Sequence, residues 1–254
     1  MEYERLRLSI DGRVARVTLC RPDEGNRVSL RLLRELEDAA AAIAESAAIN
    51  VALIEAEGDD FCLGWDDEAR AALLSGSEAS FDPFGCVAGL ACVTVASMRG
   101  RTLSAGLELA LACDIRIAAP DARFAMPEVM QDILPLAGAT QRLPRVAGKA
   151  AALSMLLLGE EAGAAAAYQC GLVSRLAAPD ALAGEAEAIA SAIASRGPLA
   201  LRYAKEAVAR GVEMTLDQGL RFEADLSVIL QTTRDRAEGL RAFFEKRPPN
   251  FEGR

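Results

Sequence analysis

The sequence predicts an α/β domain with a largely parallel sheet, followed by a mostly helical C-terminal tail. Short apolar runs typical of buried strands alternate with segments of helical periodicity through about residue 195. This alternation is typical of parallel strands joined by helices. Because 52% of the 254 residues are apolar, the chain can bury a substantial core.

The N-terminal part predicts a hairpin and a capped helix. Residues 5–20 alternate polar and apolar side chains around the turn Asp11-Gly12, which is the pattern of two antiparallel strands. After the loop "RPDEGNRVS", Ser29 is a good helix cap. The apolar face of the helix that follows holds Leu33, Leu36, Ala40 and Ile43.

The middle of the chain predicts buried strands separated by loops and one short helix. The predicted strands are "VALIEAEG" (51–58), "ACVTVASM" (91–98) and "DIRIAA" (114–119). The segment 59–69 is expected to be a loop, and the turn-rich segment 75–85 a mobile one. A helix containing Glu108 is expected after "RGRT". The segment "ARFAMPE" then leads into a loop ending at Pro127-Glu128.

The C-terminal part is Ala-rich and mostly helical from residue 147 onward. Breaks are expected at Gly159, at Gly171 and at Gly197-Pro198.

Composition excludes several classes of protein. The net charge is −9 and the basic residues are scattered, which argues against nucleic acid as a partner. No apolar stretch reaches the roughly 18 residues of a membrane span, and the N-terminus has no signal-peptide core. We therefore expect a cytoplasmic protein that binds neither nucleic acid nor membranes.

The chain contains no histidine. This excludes Ser-His-Asp and Cys-His nucleophile systems and every His-ligated zinc site, so acid–base chemistry must use carboxylates, Lys, Tyr or Cys. The cysteines lack metal-type spacing, and we expect no metal site and mostly buried free thiols. They are Cys20, Cys62, Cys86, Cys92, Cys113 and Cys170.

Glu108 lies within the otherwise small and apolar segment "TLSAGLELALACD". Burial of a lone carboxylate costs free energy or raises the pKa of the carboxyl group, so a glutamate at this position suggests a specific role. If a helix begins near Ser104, its first backbone N–H groups can bind a negatively charged group, and Glu108 lies one turn into that helix. A solvated or Arg-paired glutamate is the alternative.

Two further segments contain candidate functional groups. Glu128 follows Pro127, where it is either a functional group or a simple turn carboxylate. In "FCLGWDDEA", Gly64 permits an unusual backbone and Trp65 could direct its N–H to a ligand. The spacing of these segments does not show whether they meet.

Motifs spread over nearly the whole chain resemble those of the enoyl-CoA hydratase/isomerase (crotonase) family. They occur in the family's order: "RPDEGN", "FCLGWD", "TLSAGLELALACDIRIA", "ARFAMPEVM", "GATQRLPR", "CGLVSRL" and "EGLRAFFEKRPPNF". The resemblance implies a spiral of ββα units in residues 1–195, which holds an acyl-CoA site. It also implies a helical region in residues 196–254 that forms trimers, often paired into hexamers.

The resemblance also implies the roles of individual site residues. The backbone N–H groups of Trp65 and Ala105 match the oxyanion hole for the thioester oxygen. Glu108 and Glu128 match two catalytic glutamates: Glu108 would activate a water that adds to Cβ, and Glu128 would deliver the proton to Cα. The substrate is a CoA thioester, and no metal or redox cofactor is implied.

Contacts to CoA and to the acyl group follow from the same resemblance. Leu63 and Asp66 match the CoA-binding loop, and Phe243 and Lys246 match residues that reach the nucleotide, often from a neighbouring subunit. Leu136 stands where a glycine often borders the acyl pocket.

The chain departs from the family pattern at several positions. Ala105 replaces a glycine of the oxyanion loop, Glu68 and Asp23 replace frequent lysines, and Asp132 adds a carboxylate. Arg21 and Arg70 could substitute for the missing lysines. These changes suggest a reshaped acyl site, with an unusual substrate or reduced activity.

The resemblance favours a 2-enoyl-CoA hydratase, because both glutamates are present. Leu136 occupies the place where dienoyl-CoA isomerases carry an aspartate. The alternatives are an isomerase or thioester hydrolase of the same family, and a catalytically weak acyl-CoA-binding member.

Overall fold

The computed structural model describes residues 3–77, 82–178 and 180–254. The strands are β1 Leu6–Asp11, β2 Val14–Leu19, β3 Val51–Ala56, β4 Val93–Met98, β5 Arg101–Leu103, β6 Ile115–Ala118, β7 Arg123–Ala125, β8 Ala162–Gly163 and β9 Arg175–Leu176. The helices are α1 Leu30–Glu45, α2 Asp67–Ser75, α3 Gly85–Ala88, α4 Ala105–Leu111, α5 Ala139–Leu158, α6 Ala164–Gln169, α7 Leu182–Ala194, α8 Pro198–Gly211, α9 Leu216–Gln231 and α10 Arg234–Glu245. Short 3₁₀ helices span Pro22–Glu24 and Glu128–Gln131.

The larger sheet has the strand order β1-β2-β3-β4-β6-β9. Its first two strands form the predicted antiparallel hairpin, in which Asp11 pairs with Val14 and Gly12 adopts φ 54°. All the other pairs in this sheet are parallel. The predicted α/β class and parallel pairing are therefore confirmed.

The two faces of the larger sheet bury two different apolar clusters. Along β3, Ala52 and Ile54 face the larger cluster, which also contains residues of α1 and α4. Val51 and Leu53 face the opposite cluster, against α7. Successive side chains of a strand point to opposite faces, so one continuous apolar run fills both layers.

The smaller sheet has the order β5-β7-β8 and positions the candidate site. Strands β5 and β7 run parallel, and Leu103 pairs with Ala125 at their carboxyl ends. The segments that follow these two residues therefore leave the sheet at the same edge, and they carry Glu108 and Glu128.

The first half of the chain contains the predicted hairpin, capped helix and buried strands, and it adds three elements that the sequence did not predict: α3, β5 and β7. Ser29 caps α1 through a 3.0 Å hydrogen bond from the Leu32 N–H. The predicted apolar face is confirmed except that Leu33 is only partly buried. The prediction of a loop through residue 69 was wrong, because the Asp66 carboxylate caps a helix that begins at Asp67. Residues 78–81 of the segment predicted to be mobile lie outside the described residues.

The C-terminal half begins its helices earlier than predicted. Helix α5 starts at Ala139, not near residue 147, and departs from helical geometry at Gly148 (φ 79°, ψ 158°). The predicted breaks are confirmed: Gly159 ends α5, Gly171 adopts φ 81° after α6, and Gly197 precedes α8. The predicted boundary at 195/196 falls between α7 and α8, and its role as a domain boundary stays a prediction.

The chain end is anchored by a buried carboxylate. Asp235, at the start of α10, accepts the N–H groups of Glu252 (2.7 Å) and Gly253 (2.9 Å).

All six cysteines are free thiols, and three of them are buried: Cys62, Cys92 and Cys113. Within the described part of the chain, no helix combines the length and apolar character needed to cross a membrane.

Candidate active site

A sharp turn at Ser104 joins β5 to α4. Ser104 has φ 51° and ψ −123°, a conformation that costs a non-glycine residue about 1–3 kcal/mol. The turn is held on both sides: the Ser104 N–H donates to the carbonyl of Ala125 (3.0 Å), and the Glu108 N–H donates to the carbonyl of Ser104 (3.0 Å). The predicted helix start near Ser104 is confirmed.

The segment around Gly64 runs beside this turn. Cys62 forms a parallel bridge with Thr102, and its carbonyl accepts the Leu103 N–H at 2.9 Å. A Cβ on Gly64 would lie 2.9 Å from the Cβ of Ser104, and Gly64 adopts φ 103°. A Cβ on Gly106 would lie 2.6 Å from the Cβ of Cys62. Both glycines are therefore required for this close approach.

The approach brings two unpaired backbone donors to the same region. Ala105 is the first residue of α4, so its N–H has no acceptor inside the helix. No hydrogen bond from the backbone N–H of Ala105 or Trp65 occurs among the residues described. The two N–H groups are free to bind an oxygen, as the oxyanion-hole prediction requires, and that role stays a prediction.

Glu108 is fully buried, with its carboxylate half satisfied. Its Oε1 accepts the N–H groups of Ala137 (2.8 Å) and Ala139 (3.1 Å), where Gly138 adopts φ 94°. Its Oε2 has no hydrogen-bond partner in the described structure. Burial raises the pKa of Glu108 to about 7, although these two hydrogen bonds oppose the shift.

Glu128 is buried at the start of the 3₁₀ helix after Pro127. Neither of its oxygens makes a hydrogen bond of ordinary geometry to the described residues. Burial raises the pKa of Glu128, and the nearby Ser104 hydroxyl opposes that shift. The charge of Glu128 also raises the pKa of Glu108, so the structure brings the two predicted carboxylates together.

A cavity of about 80 Å³ opens beside Glu128. The described residues that line it are Arg27, Leu63, Gly64, Trp65, Arg70, Ser104, Pro127, Glu128, Gln131 and Ile133. Glu108 lies outside this lining and is 0% exposed. Glu128 is therefore the carboxylate that a molecule in this cavity meets.

The Trp65 side chain is buried in an aromatic stack. Its ring lies 5.9 Å from that of Phe84, with 15° between the planes. The indole Nε1 is buried without a partner in the described part of the chain. Donation from this indole N–H to a ligand stays a prediction.

The predicted CoA contacts are divided between the cavity and distant positions. Leu63 lines the cavity, whereas the Asp66 carboxylate accepts the Ala69 N–H (2.7 Å) as the cap of α2. Phe243 is 77% exposed on α10, and Lys246 is exposed at its C-terminal end. Neither lines the cavity in this chain.

Of the two arginines suggested as substitutes for lysine, only Arg70 lines the cavity. It pairs with Asp67 (2.9 Å) and donates to Gln131 (2.8 Å). Arg21 is half-buried outside the lining, and both Glu68 and Asp132 are exposed.

Sequence reasoning missed three of the lining residues. Arg27 donates to the carbonyls of Leu63 (3.0 Å) and Trp65 (3.2 Å) and so stabilises the segment that carries the Trp65 donor. Gln131 and Ile133 enter through the 3₁₀ turn. Leu136, predicted for the acyl pocket, is half-buried against the main core. No local sequence pattern distinguishes these side chains from ordinary surface or core residues.

Comparisons with known proteins agree with this fold. The family model for enoyl-CoA hydratase/isomerase matches residues 9–254. The crotonyl-CoA hydratase of Syntrophomonas wolfei is 35% identical over 99% of both chains. The 2,3-dehydroadipyl-CoA hydratase of Escherichia coli is 38% identical over 95% of this chain and 96% of its own. A crystal structure of an enoyl-CoA hydratase from Bacillus anthracis superposes with a TM-score of 0.91 at 35% identity, covering 99% of this chain and 100% of that one.

The fold and the sequence thus define an acyl-CoA enzyme with a crotonase fold. The chain belongs to the enoyl-CoA hydratase/isomerase family. The family and fold expected from the sequence motifs are confirmed.

Proposed function

We propose that this protein adds water across the double bond of a 2-enoyl-CoA thioester. The observation that supports this most directly is the pair of buried carboxylates beside two unpaired backbone donors. Glu108 has one unpartnered oxygen and Glu128 has two in the described structure. Such oxygens can hold a water between them, which also compensates for their burial.

In this proposal, the thioester oxygen accepts hydrogen bonds from the N–H groups of Trp65 and Ala105. Addition at Cβ turns that oxygen into an enolate oxyanion, and each fixed donor is worth ~3–4 kcal/mol to its stabilisation. Glu108 in its charged form takes a proton from the water as the water oxygen adds to Cβ. Glu128 delivers a proton to Cα. The reaction involves no redox change. Because Glu108 ends with an extra proton and Glu128 lacks one, a proton must return from Glu108 to Glu128, through the next water held between them, before a second turnover.

The pKa of Glu108 gives this mechanism a pH signature. Because its pKa is about 7, the charged form needed to activate water accumulates as the pH rises through neutrality. The hydration rate is therefore expected to rise with pH through neutrality while Glu128 keeps the proton that it delivers to Cα.

The test is a hydration assay on a panel of 2-enoyl-CoA thioesters, from crotonyl to long-chain and aryl-substituted. Glu108→Gln and Glu128→Gln should each lower turnover by ~100-fold or more. Glu37→Gln, at an exposed position on α1, is the matched control and should retain turnover. Binding of CoA esters without turnover on any panel member would refute the proposal.

One observation favours a second candidate, an enoyl-CoA isomerase. Glu128 lines the cavity, whereas Glu108 is enclosed behind it. A single accessible carboxylate can move one proton between Cα and Cγ. This candidate predicts conversion of 3-enoyl-CoA to 2-enoyl-CoA without incorporation of solvent oxygen, and loss of that conversion in Glu128→Gln.

We also propose that the protein assembles as a homotrimer or homohexamer through its C-terminal helices. Large apolar side chains are exposed on α8–α10 and in the turn after α8, and monomers rarely expose extensive apolar patches. They are Val208, Val212, Leu216, Leu220, Val228, Ile229, Leu240, Phe243 and Phe244. Light scattering coupled to gel filtration tests this, and a monomer at micromolar concentration would contradict it.

A further inference from the structure

The backbone of Ser104 has the geometry of a nucleophile-bearing elbow. It joins the end of a strand at Leu103 to the first residue of a helix at Ala105, with φ 51° and ψ −123°. A serine on such a strained strand-to-helix turn presents its hydroxyl outside both elements. Consistent with this, the Ser104 side chain does not cap the helix that it precedes.

The neighbouring chain leaves space for this hydroxyl. A Cβ on Gly64 would lie only 3.3 Å from the Ser104 Oγ, so glycine is needed there to accommodate it. Ser104 and Glu128 both line the cavity, whereas Glu108 does not. A ligand in this cavity therefore meets the Ser104 hydroxyl and the Glu128 carboxylate among the lining groups.

Glu128 is suited to accept a proton from this hydroxyl. Burial raises the pKa of Glu128, which makes its charged form a stronger base, and the Ser104 hydroxyl lies near enough to this carboxylate to oppose the shift. Neither oxygen of Glu128 has a hydrogen-bond partner among the described residues, so both can still accept this proton. Before substrate binds, the distance between a nucleophile and its base is often longer than that of a normal hydrogen bond.

The two unpaired N–H groups complete the arrangement. Ala105 directly follows Ser104, and Trp65 comes from a separate segment. Serine hydrolases with a nucleophile elbow stabilise the tetrahedral oxyanion in the same way. One backbone N–H comes from the residue after the serine, and the other comes from a separate loop. The chain has no histidine, so Glu128 would act on the serine directly.

We propose that Ser104 is the nucleophile of a second activity, the hydrolysis of acyl-CoA thioesters through an acyl-serine intermediate. Its Oγ bonds to the thioester carbonyl carbon while Glu128 takes the hydroxyl proton. The carbon–sulfur bond then breaks, and the CoA sulfur leaves with that proton. A water next bonds to the acyl carbon and gives a proton to Glu128. The serine ester breaks, and Ser104 recovers its proton.

The net reaction converts thioester and water to carboxylic acid and CoA thiol. It takes place at the carbonyl carbon, so it requires no double bond. This distinguishes it from hydration at Cβ, with which it shares the oxyanion donors and Glu128.

The experiment uses butyryl-CoA, which has no double bond to hydrate. Thiol release is followed over time with the full-length protein, and quenched samples are analysed by intact mass and peptide mapping. The variants are Ser104→Ala, Ser104→Gly and Glu128→Gln, with Ser191→Ala as the control at an exposed serine on α7. Glycine is compatible with φ 51°, so Ser104→Gly removes the hydroxyl without straining the turn.

We expect thiol release by the wild type and by Ser191→Ala, with one butyryl group on the peptide containing Ser104. Ser104→Ala and Ser104→Gly should reduce release to the protein-free rate and lose the adduct. Glu128→Gln should reduce release by ~100-fold or more. A thermal melt of Ser104→Gly at or above that of the wild type shows that its loss is not a folding defect.

Two outcomes would overturn the inference. The first is no thiol release by the wild type above the protein-free rate. The second is release that persists in Ser104→Gly but is lost in Glu128→Gln, which would mean direct attack by a carboxylate-activated water. Crotonyl-CoA hydration measured on the same wild-type preparation separates this inference from the proposed function, since either activity can be present without the other.

Discussion

Replacing Glu108 with glutamine should stabilise the protein at alkaline pH and destabilise it slightly at acid pH. In the unfolded chain the carboxyl has its ordinary pKa of 4.5, whereas burial raises the folded value to about 7. Since each pKa unit is 1.36 kcal/mol, the difference is worth about 3 kcal/mol. A raised folded pKa means that stability is fully present below pH 4.5 and is lost as the pH rises through about 7.

Glutamine retains the oxygen that accepts the N–H groups of Ala137 and Ala139. Its amide would take the position of Oε2, which has no described partner, at a cost of about 1 kcal/mol. The Glu108→Gln variant should therefore be more stable than the wild type by about 2 kcal/mol near pH 8, and less stable by about 1 kcal/mol near pH 4.

Urea unfolding of both proteins at several pH values measures this difference. A stability difference that does not change with pH, or a variant that is less stable near pH 8, would refute the reasoning.

Glu35→Gln is the matched control, with the opposite sign. Burial alone would raise the pKa of Glu35, but the N–H groups of Glu4, Arg5 and Leu6 and the Arg31 guanidinium hold it below its ordinary value. A lowered folded pKa gives stability above the unfolded value that is lost as the pH falls. Glu35→Gln should therefore be destabilised at neutral pH, and the deficit should shrink on acidification.

Three further substitutions probe the architecture that supports the site. Gly64→Ala should lower the free energy of unfolding by about 2 kcal/mol, because Gly64 has φ 103° and the new Cβ would lie 2.9 Å from that of Ser104. Denaturant titration checks this, and an unchanged unfolding midpoint would contradict it. Gly106→Ala would place a Cβ 2.6 Å from the Cβ of Cys62, so it should push apart the segments that carry the Trp65 and Ala105 N–H groups. We expect steady-state kinetics to show a fall in kcat rather than a simple rise in KM, and a native kcat would contradict this. Arg116→Met would remove the buried guanidinium that donates to the carbonyls of Leu172 (2.7 Å) and Cys113 (2.6 Å). The free energy of unfolding, measured by thermal unfolding, should fall by about 3 kcal/mol, and an unchanged value would mean that water replaces these hydrogen bonds.

The sequence was enough to predict the turns and helix caps that depend only on residues close together along the chain. The turn at Gly12 and the cap at Ser29 each depend on residues within a few positions, and both were predicted correctly. The start of α2 was missed because the acidic run beginning at Asp66 was interpreted as a loop, although its first carboxylate is a helix cap. Capping residues and loop residues belong to the same polar types, so sequence composition alone separates them poorly.

The meeting of the two glutamates depends on contacts that a single sequence does not show. Glu108 and Glu128 come together because β5 and β7 are parallel and in register at Leu103 and Ala125. The enclosure of Glu108 depends in addition on the backbone at Ala137, which approaches from the start of another helix. The sequence motifs predicted both carboxylates, whereas strand register and a long-range hydrogen bond determine how each one is exposed.

The hydrogen bonds to Oε1 of Glu108 have a stereochemical consequence. Two backbone N–H groups fix that oxygen, so the carboxylate cannot rotate to exchange its oxygens without breaking both bonds. Under the proposed mechanism only Oε2 would be left to exchange a proton with the bound water, from one direction relative to a flat alkene held by the proposed oxyanion donors. In the proposed hydration, water would therefore reach a single face of the double bond, and the 3-hydroxyacyl product would form as one enantiomer.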